Sequence, residues 1–458
     1  MKWIPKPYML RGIETLVKQT GGGQLLDPGM SKTAITLAAF TCLQQYEYAD
    51  KMLVIAPLKP MFGTWRQEGA KWDDFNHLTF SVIHGSHQQK LDALAKDVNI
   101  HLINPEGLKW LFQLSKAKLP EWEVLCVDES TKFKNARSQR FKMLKKVMPD
   151  FYYRWILTGT VTPNGLQDLF AQIYILDLGK SLGKYITHFR NKYFYQEGYG
   201  GFTYKPRPGA VEEITEDIAH MVLKLNAEDY LDMPEFNRII RPVDIGPEAM
   251  AAYKEVEKEF ILELATGTIV AANSGAAGTK CRQIANGRVY DGEGKAHFVH
   301  DAKQQALEEI VEETSGHPLL VLYEYKHDLE AIMETLGKGA VCLTGLTGNA
   351  YTKVQDAFNA GEVPFLVAHG GSMHGLNIQG YCYHMVWYGI TWNLEHYIQT
   401  VWRLYRQGQM SKMVLCYMLV ATGTLDEHVV QVLDHKQGEQ THLDNMLMHF
   451  NPYKDLAS

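Results

Sequence analysis

The chain contains the stretch Leu25-Leu26-Asp27-Pro28-Gly29-Met30-Ser31-Lys32-Thr33, which predicts a phosphate-binding loop. An apolar strand end leads into a tight Pro-Gly turn, and Lys32-Thr33 opens a helix with apolar side chains up to Phe40. Backbone N–H groups at such a helix start point at a bound phosphate. In the G-x-x-x-x-G-K-[ST] pattern the lysine contacts the β- and γ-phosphates and the hydroxyl residue contacts Mg²⁺. Residues 27–33 therefore predict a nucleoside-triphosphate site, with Lys32 catalytic and Thr33 a magnesium ligand.

The loop departs from that pattern at two positions, because Leu26 replaces its first glycine and Ser31 its second. A left-handed backbone costs a non-glycine residue roughly 1 kcal/mol or more. Ser31 therefore fits this loop only if its backbone does not adopt a positive φ. An ordinary strand-turn-helix connection remains the alternative interpretation of this segment taken alone.

Length and composition indicate a globular protein of two to four domains, since 458 residues are too many for one core. The net charge of −6 predicts that any nucleic-acid surface is a local groove. Six scattered cysteines without a C-x-x-C pair indicate a reducing compartment and argue against structural zinc. No signal peptide is evident and no apolar run approaches transmembrane length, so we expect a cytoplasmic protein without a membrane partner.

The first half of the chain alternates short apolar strands with helical stretches. The predicted strands are residues 52–56, 100–103, 124–127 and 155–157. Near-continuous apolar strands separated by helices indicate a parallel sheet covered on both faces. Ligands bind beyond the carboxyl ends of the strands in such sheets.

Asp128-Glu129 follows the third of these strands, where a magnesium-dependent hydrolase needs two carboxylates. Asp128 would hold the metal, and Glu129 would orient or deprotonate the attacking water. A helix N-cap is the alternative, because Asp and Ser favour that position.

Several motifs of this half follow one another in the order of a known family. They are Pro7-Tyr8, the loop at 25–33, Ala56-Pro57 with Trp65 and Glu68, Asn104-Pro105-Glu106, Asp128-Glu129-Ser130-Thr131-Lys132-Phe133-Lys134-Asn135 and Leu157-Thr158-Gly159-Thr160. The order resembles that of Swi/Snf-type ATPases of helicase superfamily two, most of all their compact bacteriophage versions. The resemblance implies ATP and Mg²⁺ as cofactors.

The resemblance also implies roles for side chains outside the loop. First-lobe DNA contacts are expected from Trp65, Asn104, Lys132, Lys134 and Thr158. Tyr8 is expected to stack on the nucleotide base, with plain core packing as the alternative. The family's adenine-reading glutamine is replaced here by Met9.

The second half repeats the parallel-strand pattern without a second phosphate loop. Its predicted strands are residues 319–323, 340–343, 364–368, 384–388 and 414–418. Gln399, Arg403 and Arg406 belong to a Q-x-x-x-R-x-x-R-x-G-Q pattern that resembles the family's arginine-finger motif. The spacing predicts both arginines on one helix face, from which they would neutralise charge on the γ-phosphate. A solvated helix face is the alternative.

Two further segments of this half resemble the family's second-lobe contacts with DNA. Thr347 and Gly348 lie in the first segment, and His374 and Asn377 in the second. Met373 stands where the second segment usually has a glycine.

We therefore expect an α/β fold of two RecA-like (P-loop) parallel-sheet lobes with helical insertions. The first lobe would span 1–238, with a helical protrusion at about 178–232. The second would span 239–458, with a helical insertion at about 247–300. Pro234, Pro242 and Pro247 mark the expected passage between the lobes, and 265–278 is expected to be a poorly packed surface connection. Aromatic residues crowd 185–204, where they could stack on bases or form a small satellite core.

These features predict an ATP-dependent motor that translocates on duplex or branched DNA without sequence specificity, with a possible recruiting protein partner. A role in phage replication, recombination or repair, in the host cytoplasm, is the accompanying hypothesis. The altered residues Ser31 and Met9 leave open a nonhydrolysing scaffold that binds ATP and nucleic acid. A motor subunit of a restriction-type complex is the third possibility.

Overall fold

The structure, a computed structural model, describes residues 1–197, 203–265, 273–346, 348–373 and 376–449. The chain divides into two units. The first comprises Met1–Tyr230 together with the chain from Lys436 on, and the second comprises Leu231–His435. The expected domain assignment, 1–238 and 239–458, stays a prediction.

A seven-stranded sheet, parallel in every pairing, forms the centre of the first unit. Its strands are β1 (Gly21–Leu26), β2 (Met52–Ile55), β3 (Phe80–Ile83), β4 (Ile100–Ile103), β5 (Val124–Asp128), β6 (Tyr153–Thr158) and β9 (Val222–Leu225), and a hairpin adds β7 (Phe194–Glu197) and β8 (Thr203–Pro206). The strand order is β3-β4-β2-β5-β6-β1-β9. The helices are α1 (Pro7–Val17), α2 (Lys32–Gln45), α3 (Leu58–Phe62), α4 (Thr64–Lys71), α5 (His87–Leu94), α6 (Leu108–Leu111), α7 (Gln139–Val147), α8 (Leu169–Asp177), α9 (Ile186–Tyr193) and α10 (Ala210–Ile218).

The predicted strands β2, β4, β5 and β6 are confirmed, and each is buried along its whole length. Strand β1 begins with three glycines, a composition that indicates a loop when the sequence is taken alone. A Cβ atom on Gly21 would lie 2.3 Å from the carbonyl oxygen of Leu176, and one on Gly22 would lie 2.7 Å from that of Thr15. The glycines therefore let α8 and the end of α1 pack directly on the strand that leads into the phosphate loop.

The predicted helical protrusion at 178–232 is only partly helical, because the segment contains α9, the β7–β8 hairpin, α10 and strand β9. Strand β9 pairs with β1, so this part of the chain returns to the central sheet. Phe189, Tyr193 and Phe194 are buried in the main core of the unit, which excludes base stacking by these three rings. Residues 198–202 lie outside the described residues.

A six-stranded parallel sheet with the order β10-β17-β16-β13-β15-β14 forms the centre of the second unit. Its strands are β10 (Glu235–Val243), β13 (Leu319–Tyr323), β14 (Ala340–Cys342), β15 (Phe365–His369), β16 (His384–Trp387) and β17 (Met413–Ala421), and a hairpin adds β11 (Arg288–Tyr290) and β12 (Ala296–Phe298). The helices are α11 (Pro247–Ala265), α12 (Asn273–Ala285), α13 (Ala302–Glu313), α14 (Lys326–Leu336), α15 (Gly348–Asn359), α16 (Leu394–Val401) and α17 (Leu425–His449). Helix α17 starts in the second unit and ends in the first.

All five strands predicted for this half are confirmed. Strand β10 is an addition, because Pro242 within it and the flanking Pro234 and Pro247 indicated a connection between lobes. It is an edge strand, where Pro242 is tolerated since its nitrogen has no hydrogen to donate. Residues 266–272 of the expected surface connection at 265–278 lie outside the described residues, and the chain is helical again from Asn273. None of the helices in the described part of the chain combines the length and apolar character needed to cross a membrane.

Candidate active site

The phosphate loop connects β1 to α2 and carries two residues in the left-handed region. Gly29 has a φ of 89°, and Ser31, immediately before the helix, has φ 54° and ψ 32°. Ser31 therefore fits the loop with a positive φ, contrary to the condition stated from the sequence. The serine adopts the conformation that glycine has in the usual pattern, at a cost of roughly 1–2 kcal/mol.

Replacing Ser31 by glycine is expected to stabilise the protein by about 1 kcal/mol, because glycine removes the left-handed strain but is freer in the unfolded chain. Thermal unfolding of the variant measures this gain. Glu47→Gly is the matched control, since Glu47 is an exposed residue with φ 60° away from the loop. Both variants should unfold at higher temperature, and only Ser31→Gly should change ATP turnover. An unfolding temperature for Ser31→Gly at or below the wild-type value would contradict the strain.

Lys32 is the first residue of α2, and its ammonium group is held at the end of β1. Its Nζ donates to the carbonyl oxygens of Leu26, at 2.7 Å, and Asp27, at 3.2 Å. An ammonium group has three N–H donors, of which these contacts use two. Burial lowers the pKa of Lys32, while the nearby carboxylates of Glu129 and Asp128 act in the opposite direction. The lysine thus lies beside the two predicted carboxylates, as expected from the sequence.

Asp128 ends β5 and is held by two donors. Its Oδ2 accepts from the indole Nε1 of Trp65 at 3.0 Å, and its Oδ1 accepts from the backbone N–H of Glu129 at 3.0 Å. Burial raises the pKa of Asp128, and the contact with Trp65 and the charge of Lys32 oppose that rise. The short 3₁₀ turn that follows has no side-chain cap, so the N-cap alternative for Asp128 is not what the structure shows.

Trp65 was expected to contact DNA, and the structure gives it another place. Its side chain is fully buried on α4, and its N–H is used by Asp128. It therefore orients the Asp128 carboxylate from inside the unit. Its large side chain and its position in a family motif favoured a surface role, and neither indicates solvent exposure.

Glu129 follows directly and has φ 52°, so a second non-glycine residue of the site is left-handed. Its side chain is partly exposed, in contrast to that of Asp128. The turn therefore buries the first carboxylate and leaves the second partly exposed, and the two predicted roles stay predictions.

The segment after β6 packs against the phosphate loop. Its Thr158 side chain points into the protein. The Thr158 hydroxyl is buried and donates to the carbonyl oxygen of Thr160 at 2.6 Å. A Cβ atom on Gly159 would lie 3.1 Å from Cδ of Pro28. The absence of a side chain at Gly159 thus lets this turn approach the loop, and the predicted DNA contact by Thr158 is corrected to an internal one.

Tyr8 follows the core-packing alternative. Its side chain is 1% exposed, and its ring centroid lies 5.3 Å from that of Tyr230. The ring is therefore not available to stack on a nucleotide base. Burial raises the pKa of Tyr8, and the nearby Ser31 hydroxyl works against that rise.

The side chains of Met30, Asp27 and Thr33 have different surroundings. The Met30 side chain is buried. The carboxylate of Asp27 is bound on the side of β9, since Oδ1 accepts from Nζ of Lys224 and Oδ2 from the N–H of Ala227, both at 3.0 Å. Thr33 is partly exposed on the first turn of α2, where a hydroxyl ligand is needed. No sequence signal pointed to Lys224, because β9 is far from the loop in the chain.

Three candidate DNA contacts of the first unit remain at its surface or just below it. Asn104 follows β4 and is 9% exposed, and its Nδ2 donates to Glu106 Oε2 at 2.8 Å. Lys132 and Lys134 are partly exposed in the turn after β5. These three contacts stay predictions.

The two arginines of the second unit lie beyond a helix end. Helix α16 stops at Val401, so the prediction that they share a helix face is wrong. They nevertheless contact neighbouring residues, because Arg403 donates to the Leu376 carbonyl oxygen at 3.1 Å and Arg406 donates to Asn377 Oδ1 at 2.7 Å. Burial lowers the pKa of Arg406.

The remaining candidates of this unit are partly described. Gln399 is buried on α16, at 7% exposure. Gly348 begins α15 with φ 56° and is exposed. Thr347 and His374 lie outside the described residues.

The chain is similar to known protein families and to several known proteins. The SNF2-related domain matches residues 9–287, and the helicase conserved C-terminal domain matches residues 302–408. Putative protein p41 of Acyrthosiphon pisum secondary endosymbiont phage 1 is 33% identical over 96% of this chain and 97% of its own length. The CHD3-type chromatin-remodeling factor PICKLE of Arabidopsis thaliana is 24% identical over 95% of this chain, which spans 34% of PICKLE. The SWI2/SNF2 ATPase core of Sulfolobus solfataricus in complex with dsDNA aligns with a TM-score of 0.46 at 21% identity, covering 100% of this chain and 96% of that one.

Proposed function

Since this chain belongs to the SNF2-related family of helicase-like ATPases, we propose that it is an ATP-dependent motor that translocates on duplex or branched DNA. One observation carries the proposal: Lys32, Asp128 and Glu129 come together at the carboxyl ends of β1 and β5. A cation for the phosphates, a carboxylate for a metal and a carboxylate for water are the groups that phosphoryl transfer needs.

The residues of the first unit fit a magnesium nucleotide. The N–H groups at the start of α2 and the ammonium of Lys32 would bind the phosphates. The Thr33 hydroxyl and the Asp128 carboxylate supply the oxygen ligands that Mg²⁺ prefers. When bound, that ion would neutralise negative charge on the phosphates. Glu129 would accept a proton from the attacking water through its partly exposed carboxylate.

DNA would be held mainly through its phosphates. In the first unit the proposed contacts are Asn104, Lys132 and Lys134. In the second unit they are Gly348 and Asn377, together with Thr347 and His374. Phosphate contacts carry no base code and release counterions, so we expect sequence-nonspecific binding that weakens steeply with added salt.

Arg406→Ala is expected to leave ATP bound and to slow hydrolysis by about a thousandfold. This is the lower end of the range for an arginine that stabilises the charge on a phosphoryl group during its transfer. Steady-state turnover and equilibrium binding of ATP on the same preparations measure the two effects. Arg241→Ala is the matched control, because Arg241 on β10 pairs with Glu313 at the surface. Unchanged turnover in Arg406→Ala would remove this arginine from the proposed mechanism.

ATP turnover compared without DNA and with single-stranded, duplex and forked DNA tests the proposed function. A motor on duplex or branched DNA predicts stimulation by the duplex or forked substrate. Turnover that is absent under all conditions would favour a nonhydrolysing scaffold. Copurification of a nuclease would favour a restriction-type subunit.

The biological setting is also part of the proposal. The similarity to p41 along nearly the whole chain supports a phage origin, and the proposed motor would act in replication, recombination or repair in the host cytoplasm. A protein partner that recruits the motor to particular DNA fits its nonspecific binding.

A further inference from the structure

A buried lysine lies behind the phosphate loop and is bound by carboxylates from two distant parts of the chain. Lys224 on β9 has a side chain that is 1% exposed. Its Nζ donates to Asp27 Oδ1 at 3.0 Å and lies 3.1 Å from Asp444 Oδ2 on α17. All three residues belong to the first unit. Asp27 is thereby held by its carboxylate, while its carbonyl oxygen accepts from Lys32.

Two carboxylates compensate the burial of the Lys224 ammonium group. Burial alone lowers the pKa of this lysine, but Asp444 and Asp27 outweigh it, and the net pKa is raised. One carboxylate would leave a buried cation less well compensated, and removing a partner from a buried pair is strongly unfavourable. Asp444 and Asp27 bind the same ammonium group. Asp444 therefore helps to hold Lys224, and through it the carboxylate of Asp27, in place.

The same helix also holds the segment that packs on the loop. Gln440 Oε1 accepts from the backbone N–H of Val161 at 3.2 Å, and from the N–H and hydroxyl of Thr162 at 2.8 and 2.7 Å. Its Nε2 donates to Asp444 Oδ1 at 2.7 Å, so the two helix residues support each other. Asp444 thus reaches the phosphate loop through Lys224 and Asp27, and Gln440 holds Val161 and Thr162, which follow Gly159 in the chain.

We propose that Lys224, Asp444 and Gln440 are positioning residues of the nucleotide site, and that the last turns of α17 complete that site from behind. Lys224 fixes the carboxylate of Asp27 and so the carbonyl oxygen that holds the Lys32 ammonium. Gln440 fixes the turn against which Pro28 packs. Helix α17 lies beyond both matched regions, 9–287 and 302–408, so neither match assigns it this role. The inference rests on the proposed function, because the site it supports is the ATP site.

Equilibrium titration with a fluorescent ATP analogue and Mg²⁺ tests the proposal on the full chain. Asp444→Asn should weaken nucleotide binding by about tenfold, comparable to the roughly 10- to 100-fold cost of losing an outer support at a metal site. The KM for ATP should rise by a similar factor, with a smaller change in kcat. Asp444→Glu keeps the charge and should recover part of the affinity. Asp434→Asn is the matched control, since Asp434 on the same helix pairs with the surface residue Arg238.

The double variant Lys224→Met with Asp444→Leu distinguishes the proposed positioning role from a purely structural one. Apolar replacement of a buried ion pair is often neutral for stability. The variant leaves the Asp27 carboxylate with the N–H of Ala227 and with 16% of its side chain exposed. The proposal therefore expects the variant to remain folded and still to bind nucleotide about tenfold more weakly. A stable double variant with wild-type affinity would overturn the proposal. Loss of folding in both Asp444→Asn and the double variant would show a structural role and overturn it as well.

These outcomes are distinct from a failure of the proposed function. A wild-type protein that binds no nucleotide would remove the ATP site itself. Wild-type binding together with an unchanged dissociation constant in Asp444→Asn would overturn only the role of α17.

Discussion

Lys32→Ala is expected to abolish DNA-stimulated ATP turnover, with a fall of at least about a thousandfold, the upper range for losing one preorganised electrostatic group. The ammonium of Lys32 is placed at the end of β1 by two carbonyl oxygens, next to Glu129 and Asp128. Alanine removes the cation and leaves both carbonyl groups without their donor. Steady-state phosphate release in the presence of duplex DNA measures the loss.

The matched control is Lys142→Ala, because Lys142 is an exposed lysine on α7 that lies in no proposed contact. Its turnover should equal that of the wild type. Thermal unfolding of both variants shows whether each is folded. A folded Lys32→Ala protein that keeps its DNA-stimulated turnover would show that hydrolysis does not depend on this loop.

Glu129→Gln is expected to retain ATP binding and to slow hydrolysis by about 10²- to 10⁴-fold, the typical contribution of a positioned general base. Glutamine has the same shape and the same backbone freedom as glutamate, so the left-handed turn at φ 52° is not further strained. The change removes only the proton-accepting carboxylate. A single-turnover measurement with prebound ATP separates this chemical step from binding.

Glu121→Gln is the control for this substitution, because Glu121 is an exposed glutamate before β5. Its chemical rate should be that of the wild type. Loss of ATP binding in Glu129→Gln would make Glu129 a binding residue. An unchanged chemical rate would exclude it as the base.

The strands of both sheets were the most predictable part of the fold. Apolar runs such as Ile100–Ile103 and Leu319–Tyr323 have boundaries that the structure reproduces. Strands β1, β3, β9 and β10 were less visible, for physical reasons. The glycines of β1 make room for neighbouring helices, and β3 is buried only at alternate residues. Strand β9 carries the buried Lys224 in a short run, and β10 tolerates Pro242 because it is an edge strand.

Within the site, the sequence predicted which charged residues meet and was less informative about which side chains face solvent. Lys32, Asp128 and Glu129 follow strands of one parallel sheet, so their proximity could be inferred from topology. Tyr8, Trp65 and Thr158 were assigned to ligands by resemblance, and they are buried supports. Burial depends on which helices cover each strand end, and local sequence does not contain that information.

The residues that were missed have partners far away in the chain. The contact between Lys224 and Asp27 joins residues 197 positions apart, and Asp444 reaches the same ammonium group from α17. No local motif marks such a pair, since a lone lysine in a strand and a lone aspartate on a helix are ordinary in isolation.

Displacement of a third DNA strand from a duplex tests the central claim, that ATP hydrolysis by this chain drives movement along DNA. The protein would be loaded on a duplex that carries a triplex-forming oligonucleotide at a distance from one end. We predict release of the oligonucleotide that requires hydrolysable ATP and fails with Lys32→Ala and Glu129→Gln. ATP consumption stimulated by DNA while the third strand stays bound would contradict a motor.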